Sequence, residues 1–287
     1  MELSAADRAV FAGRSDRIDR ARLDELHYLG TYERKLPVNL QRMMENAYDW
    51  EHLPFVHPTS FGDIELVEQG SWGWRCKASL PGFAGSQFIE LLVDAARHYW
   101  ATCVVEGFGQ GVEIHTQATA VPEGGITVRV GFYLPQPPES EAQAQFLLAA
   151  LQQQYATLYD EDEQLMSGRQ AAIERKSSGG HARPEAGTAL GASSGFDKEC
   201  ANIVSAGGGE MVLRFHEGRW LAHRATCPHL LGPLSGHEIA DGRVTCPWHG
   251  YRFSLEDGHE EEGRCPALEI FGVAEDDRGR LVLQGPI

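Results

Sequence analysis

The sequence predicts an α+β fold in two parts, an antiparallel sheet packed on one long helix and, after it, a smaller all-β module. The first part is indicated by short apolar segments between turn signals, which run to residue 134 and are followed by one long helical pattern. The second part is indicated by short strands and tight turns over 196–287. Residues 177–195 are rich in Gly, Ala, Ser and Pro, so a flexible linker is expected between domains 1–176 and 196–287.

In the first domain a helix is expected over 36–49. Turn signals such as Gly-Gln-Gly and Glu-Gly-Gly then separate five predicted strands, which cover residues 70–81, 87–93, 99–107, 112–121 and 125–134. The long helix is expected from 139 to about 176, where apolar residues such as Leu151 and Leu158 recur at roughly helical spacing. A sheet packed on such a helix leaves room for a pocket between them.

Composition and charge narrow the class of protein. With 42% hydrophobic and 23% charged residues the composition is that of a soluble globular protein, and the longest apolar runs are far too short to span a bilayer. A formal net charge of −16 argues against nucleic acid as a partner, because phosphate binding needs a basic surface. The first residues are charged, so no signal peptide is expected, and six cysteines then do not indicate a disulfide scaffold. We expect a cytoplasmic protein that binds neither membranes nor nucleic acid.

Two short motifs in the second domain combine cysteine with histidine. Cys227 and His229 are separated by one residue, and after sixteen further residues Cys246 and His249 follow, separated by two. A 2Fe–2S cluster with two thiolates on one iron and two imidazoles on the other needs such ligands from two facing loops. Three glycines would give these loops backbone freedom, namely Gly232, Gly236 and Gly250. A zinc site is the alternative, but structural zinc modules usually begin with a closely spaced cysteine pair, which the motifs lack.

The segments CPHLLGPLSG and CPWHGYRF resemble the signature of Rieske domains, over most of residues 200–265. The resemblance implies that the two cysteines and two histidines bind a 2Fe–2S cluster, and that electrons enter at the exposed histidines. Rieske proteins of respiratory complexes carry an additional cysteine in each loop. The corresponding residues here are Gly232 and Trp248, which implies a lower-potential cluster of the oxygenase and ferredoxin type.

A second histidine pair follows the first predicted helix. His52 and His57 belong to the pattern Asn-x2-Asp-x2-His-x4-His, which begins at Asn46 and includes Asp49. Non-haem Fe(II) oxygenases bind iron with two histidines and one carboxylate on one face of the ion. Such a histidine pair is weak evidence for a metal site by itself, because most histidines at this spacing lie on the surface or pack against other residues. Its presence in one chain with a Rieske motif strengthens the metal interpretation.

This segment resembles the catalytic domain of Rieske non-haem iron oxygenases, which implies a helix-grip (START-like) fold for 1–176. The resemblance implies that both histidines bind iron, that Asp49 links the iron site toward a Rieske histidine, and that Asn46 belongs to the same catalytic region. The third implied ligand is an aspartate of the long helix. Asp162, in a Glu-Asp pair followed by apolar residues, matches best, and Asp160 is the alternative. Without the resemblance, this acidic run would be interpreted as a solvated helix face.

The resemblance implies an oxygenase that uses O2 and electrons from NAD(P)H, passed on by a ferredoxin or flavin reductase, to hydroxylate or demethylate a small aromatic or apolar substrate. The Asn-x2-Asp spacing is more similar to the monooxygenase and demethylase branch than to the ring-dihydroxylating branch. The family usually places its Rieske domain first, whereas here the order is reversed. A homotrimer is the favoured assembly, with electron transfer inside one chain as the alternative. Two other classes stay open, an electron carrier whose first domain binds a hydrophobic ligand and a cluster-bearing sensor.

Overall fold

A computed structural model describes residues 3–178 and 183–287 of the chain. The chain divides into two compact units, one that ends at Ser167 and one that extends from Gly168 to Ile287. The division falls inside the longest helix, α4 (Glu141–Ser177). The first unit contains a large sheet and helices. The second unit contains the last turns of α4 and two smaller sheets, so the predicted α+β class is confirmed.

The sheet of the first unit has seven strands, and every neighbouring pair is antiparallel. Its order is β1-β7-β6-β5-β4-β3-β2, so the chain meanders from β2 to β7 and the first strand then pairs with the last. The strands are β1 (His27–Leu36), β2 (Ile64–Gly70), β3 (Gly73–Ser79), β4 (Ser86–Asp94), β5 (Tyr99–Glu106), β6 (Glu113–Ala120) and β7 (Ile126–Leu134).

Three shorter α-helices precede α4 in the described residues, namely α1 (Ala5–Ala9), α2 (Leu40–Tyr48) and α3 (Leu53–Val56). The Asn39 side chain starts α2 by accepting a hydrogen bond from the Arg42 backbone N–H at 2.9 Å. Pro54 lies in the first turn of α3, where its missing N–H costs no helical hydrogen bond. His52 precedes this single turn of helix and His57 follows it, so α3 holds the two histidines close together. None of the helices in the described residues has both the length and the apolar character that crossing a membrane requires.

Two strands of this sheet were not predicted from the sequence. β1 and β2 are the two edges of the sheet, and neither strand has a fully buried face. In β1 charged residues such as Glu33, Arg34 and Lys35 follow one another, which hides the alternation that identifies a half-buried strand. The predicted strand over 70–81 corresponds to β3 alone, since the chain turns sharply between β2 and β3.

The second unit contains two antiparallel sheets. The larger has the order β8-β16-β15-β11-β10-β9 and the smaller the order β12-β13-β14. Their strands are β8 (Ala189–Ala192), β9 (Asn202–Ala206), β10 (Gly209–His216), β11 (Arg219–Arg224), β12 (Ile239–Ala240), β13 (Arg243–Thr245), β14 (Arg252–Ser254), β15 (Ile270–Glu275) and β16 (Arg280–Pro286). Side chains of the larger sheet form a hydrophobic core that includes Met211, Leu213, Phe271 and Leu281.

The predicted linker over 177–195 stays a prediction, and residues 179–182 lie outside the described part of the chain. Within this range, however, β8 pairs with β16, for example at Gly191 and Leu281. Small residues such as those of β8 carry no hydrophobic pattern, so composition could not separate a short edge strand from a linker.

Candidate metal centres and cavity

Two histidines and one aspartate lie together in the first unit. His57 Nε2 is 3.0 Å from Asp162 Oδ1, and His52 Nε2 is 3.5 Å from the same oxygen. All three side chains are buried, and one possible ligand atom from each lies within 4.8 Å of the others. The histidines flank α3 and the aspartate lies on α4, so the group is assembled from two distant segments.

The hydrogen bond of His57 orients its ring. A carboxylate can only accept, so His57 donates from Nδ1 to Glu161 Oε2, at 2.7 Å. The other ring nitrogen, Nε2, then presents a lone pair to the Asp162 carboxylate. Two acceptors 3.0 Å apart repel each other unless a proton or a cation lies with them. The arrangement therefore favours a positive charge between the two side chains.

His52 gives a second test of whether a metal ion fits. The ring is buried, and within the described residues neither of its nitrogens has a hydrogen bond, although Nδ1 is 3.7 Å from Asp49 Oδ2. Burial lowers the pKa of His52, but the nearby carboxylates of Asp162 and Asp49 raise it by a larger amount, so that the pKa is about 10. Two atoms that bind one ion at about 2.1 Å and at a right angle lie about 3 Å apart. The donor set and its spacing fit a divalent metal ion.

The two candidate aspartates of α4 have different surroundings. Asp162 is buried, and its pKa is lowered by the two histidines although burial opposes this. Asp160 is exposed and forms an ion pair with Arg34, with Nη1 and Oδ1 2.7 Å apart. Successive helical residues are rotated by about 100°, so two residues two positions apart point to nearly opposite sides. The side of α4 that faces the histidines carries Asp162.

A cavity of about 320 Å³ lies beside this group. Its walls come from α2, the central strands and α4, and they are largely apolar, with side chains such as Trp74, Trp100 and Leu158. The two residues predicted for catalysis, Asn46 and Asp49, line it together with the histidines and Asp162. Metal-ligating atoms at the wall of an apolar cavity can act on a molecule bound inside it.

In the second unit, two loops of similar construction carry the cysteine and histidine motifs. The first lies between β11 and β12, and the Cys227 N–H donates to the carbonyl oxygen of Gly232 at 2.8 Å. The second lies between β13 and β14, and the Cys246 N–H donates to the carbonyl oxygen of Tyr251, also at 2.8 Å. Gly250 has a φ of +67°, which closes the second loop in a conformation that favours glycine. Each loop is thus a turn closed on itself by its own backbone.

The four predicted cluster ligands come together where these loops meet. Both cysteines and His249 are buried, whereas His229 is half-buried. The two imidazole rings have centroids 4.7 Å apart. Contact with Cys227 lowers the pKa of the Cys246 thiol, burial opposes this, and His249 lowers it further. The sequence suggested that both histidines are exposed, but in the structure only His229 has appreciable exposure.

Gly232 leaves the space that the Cys246 sulfur needs. A Cβ added at this residue would lie 2.8 Å from Cys246 Sγ and 3.0 Å from the Trp248 ring, closer than normal contact. Gly236 was expected to have a similar role, but a Cβ there meets nothing within 4 Å, and Gly236 does not need a left-handed backbone. The loops therefore depend on Gly232 and Gly250. Two thiolates and two imidazoles around this space fit a 2Fe–2S cluster.

The family model of the Rieske [2Fe-2S] domain matches residues 188–271 of the chain. The second unit contains a Rieske domain. The match begins one residue before β8 and ends in β15, so it includes both cluster loops.

Curated relatives match a short part of the chain. Apoptosis-inducing factor 3 of Mus musculus and of Homo sapiens is 37% identical over 59 residues, which are 21% of this chain and 10% of those proteins. The ferredoxin component of the alkene monooxygenase system of Xanthobacter autotrophicus is 36% identical over 58 residues, 20% of this chain and 48% of that protein. The chain thus spans about a tenth to a half of the length of these relatives. Among solved structures, the ferredoxin of carbazole 1,9a-dioxygenase from Nocardioides aromaticivorans IC177 matches with 14% identity and a TM-score of 0.31. The match covers 35% of this chain and 98% of the ferredoxin chain.

The Rieske domain also has an aromatic stack that the sequence analysis did not find. The Tyr251 ring stacks on His229 with centroids 4.7 Å apart, and the Arg264 guanidinium lies 4.1 Å above the Tyr251 ring. Arg264 is held by the buried carboxylate of Glu260, with Nη2 and Oε1 3.0 Å apart. Tyr251 lies two residues after His249, within the segment CPWHGYRF, but no spacing rule connects Arg264 to the loops.

Glu161 is the other residue whose role was missed. It was noted only as the neighbour of Asp162, whereas the structure gives it the hydrogen bond to His57 Nδ1. Carboxylates that accept from the second nitrogen of a ligating histidine are common at metal sites. The sequence feature that could have indicated this role is the Glu161–Asp162 pair on a predicted helix, in a chain that also has a histidine pair.

Proposed function

We propose that the chain is a Rieske-type oxygenase that uses O2 and external electrons to hydroxylate or demethylate a small aromatic or apolar substrate. One observation carries the proposal, the convergence of two imidazoles and a carboxylate on the wall of an apolar cavity, in a chain that also contains a Rieske domain. Two histidines and one carboxylate are the ligand set of non-haem Fe(II) oxygenases. The reversed domain order and the cytoplasmic location are parts of this proposal.

In the proposal, His52, His57 and Asp162 hold a mononuclear Fe(II), and Cys227, Cys246, His229 and His249 hold the 2Fe–2S cluster. When bound, the iron supplies the activation of dioxygen, and the cluster supplies electrons that a ferredoxin or flavin reductase has drawn from NAD(P)H.

The surrounding residues have positioning roles. Glu161 keeps the His57 proton on Nδ1, so that Nε2 stays available as a ligand. The Asp49 carboxylate lies 3.7 Å from His52 Nδ1, too far for a hydrogen bond but close enough to favour a positive charge at the second histidine. The apolar walls bind the substrate and exclude water from the reacting atoms.

Iron content tests the proposal. A cluster and a mononuclear site together hold about three irons per chain, and His52→Ala is expected to keep only the two of the cluster. His27→Ala changes an exposed histidine of β1 and serves as the control, with unchanged iron. Substrate-dependent O2 uptake is expected in the wild type and the control and should be absent in His52→Ala. Wild-type protein with two irons per chain would refute the assignment.

The branch of oxygenase and the assembly have separate tests. Incorporation of one atom of labelled dioxygen, or release of formaldehyde from a methylated substrate, is expected for a monooxygenase or demethylase. Two incorporated atoms would indicate a dioxygenase. A homotrimer predicts three times the chain mass in light scattering of the iron-loaded protein.

An electron carrier with a hydrophobic-ligand domain is the second candidate. It is favoured by the likeness of the Rieske domain to the ferredoxin component of an alkene monooxygenase system. A carrier would hold two irons per chain and pass electrons to an acceptor protein, and its oxygen consumption would not respond to a bound ligand.

A further inference from the structure

The carboxylate and imidazole groups that line the cavity lie in one cluster. Among the described residues that line it, the carboxylates are Asp49 and Asp162 and the imidazoles are His52 and His57, all in the group discussed above. Tyr155 and Tyr159 also line the cavity, and burial raises the pKa of both, so their hydroxyls stay neutral. No lysine or arginine of the described residues lines this cavity.

This distribution of charge excludes one kind of ligand. A carboxylate, sulfonate or phosphate that enters an apolar cavity loses its hydration and needs a cation or several donors in return. The carboxylates of Asp49 and Asp162 would balance the two charges of a bound divalent ion, so the described lining residues offer no further cation to an anionic ligand. A cavity of about 320 Å³ is at the small end of ligand pockets, which suits a molecule of at most two or three rings.

An aromatic pair lies at the loops beyond β3 and β5. Phe108 lines the cavity and is nevertheless 63% exposed, and its ring centroid is 4.6 Å from that of Phe83, which is 56% exposed. Large exposed aromatic side chains in contact with each other at a cavity wall are typical of a ligand-binding surface.

The Phe108 loop has a well-defined backbone. The Gln87 amide donates to the Phe108 carbonyl oxygen at 2.6 Å and ties the loop to β4. Gly107 and Gly109 on either side have φ of +100° and +79°, and a Cβ at Gly107 would lie 2.5 Å from the Ser86 carbonyl oxygen. The backbone is thus held while the Phe108 ring stays accessible.

The aromatic pair and the histidine group lie at different ends of the cavity. Leu151 and Asp162 both line it and lie eleven positions apart on α4, which is about 16 Å along the helix axis. α4 begins soon after β7, whose Tyr133 pairs with Glu113 next to the Phe108 loop, so the Leu151 end is the end near Phe108.

We propose that the ligand of this cavity is an uncharged aromatic molecule that enters past the exposed Phe108 ring and extends toward the histidine group. This inference rests on the proposed function for the identity of the ligand as a substrate. Its test, however, measures binding alone and needs no turnover.

Two fluorescent probes that differ by one group test the charge requirement. N-phenyl-1-naphthylamine is neutral, and 1-anilinonaphthalene-8-sulfonate has the same rings with a sulfonate. We expect the full-length, iron-loaded protein to bind the neutral probe more tightly by a factor on the order of 100, because the sulfonate loses its hydration without a partner. Equal affinity for both probes would overturn the charge argument.

Matched variants test the two parts of the inference. Gln154→Lys adds a cation to the cavity wall at an exposed residue and should improve sulfonate binding about tenfold, whereas Gln153→Lys, exposed but outside the cavity, should not. Phe108→Ala should weaken the neutral probe about five- to tenfold, whereas Phe146→Ala removes a 73% exposed ring of α4 and should have no effect.

The outcomes separate this inference from the oxygenase assignment. If Phe108→Ala and Phe146→Ala bind the neutral probe equally, entry past Phe108 is wrong. If the probes behave as expected but the protein contains two irons and does not consume oxygen, the cavity selectivity stands and the oxygenase assignment fails.

Discussion

The two candidate metal sites are built in opposite ways. In the Rieske domain each pair of ligands lies on one turn, and each turn is closed by a hydrogen bond from its own cysteine N–H. In the first unit, His57 and Asp162 are 105 residues apart in sequence, and they meet because α4 packs against the sheet. The first kind of site depends on local backbone geometry, and the second depends on the position and rotation of a long helix.

The contrast extends to the neighbours of the ligands. The cluster loops need space for sulfur, which Gly232 supplies by having no side chain. The histidine group needs fixed ring orientation, which the Glu161 carboxylate supplies for His57. Substitutions of these neighbouring residues should therefore have different effects, with loss of packing around the cluster loops and loss of metal affinity at the histidine group.

The largest effect is expected from Cys246→Ser. Loss of one buried cluster ligand should remove both cluster irons and the visible absorbance of the protein, and should destabilise the Rieske domain, because metal binding contributes directly to folding. Iron content should fall from about three to about one per chain. Cys200→Ser, at an exposed cysteine, is the control and should change nothing. Retention of the absorbance in Cys246→Ser would contradict the ligand assignment.

Asp162→Ala should remove the mononuclear iron and leave the cluster spectrum unchanged. Oxygen uptake coupled to substrate should fall to background, because the only carboxylate among the three converging side chains is lost. Asp160→Ala provides the control, since Asp160 pairs with Arg34 at the surface and contributes about 1 kcal/mol or less. Loss of the third iron in both variants would contradict the assignment of Asp162, and not Asp160, as the ligand from α4.

Glu161→Gln should weaken the binding of the mononuclear iron by about 10- to 100-fold, because an amide orients and polarises His57 less well than a carboxylate. The measurement is competition with a chelator, followed by iron analysis. Glu163→Gln, which changes a carboxylate paired with Arg34, should leave the iron affinity unchanged. Equal affinities in the two variants would show that the His57 hydrogen bond is not needed.

Gly232→Ala is expected to have the smallest effect. The added methyl group would press on Cys246 Sγ and Trp248 and lower the free energy of unfolding of the Rieske domain by about 1–3 kcal/mol. Denaturation followed by the visible absorbance measures it. Gly236→Ala, with open space around the added carbon, should stay within about 0.5 kcal/mol of the wild type. A loss as large in Gly236→Ala would mean that loop flexibility, rather than space, matters.

The sequence by itself determined the α+β class and the presence of a Rieske domain, and both are confirmed. The domain is readable because its cysteines and histidines fall on two short turns, where residue spacing determines geometry. The central strands were also predicted, since a strand buried on one face shows an apolar pattern. The edge strands β1 and β2 were missed because their burial is partial.

Only the tertiary structure decided which groups meet in the first unit. Spacing alone could not choose between Asp160 and Asp162, because the choice depends on how α4 is rotated about its axis against the sheet. It could not connect Glu161 to His57, or show that the cavity wall lacks lysine and arginine among the described residues. These are properties of side chains from separate segments, and a linear pattern contains them only when the segments are neighbours in sequence. The ligand roles of His52, His57 and Asp162 stay a prediction for iron analysis to test.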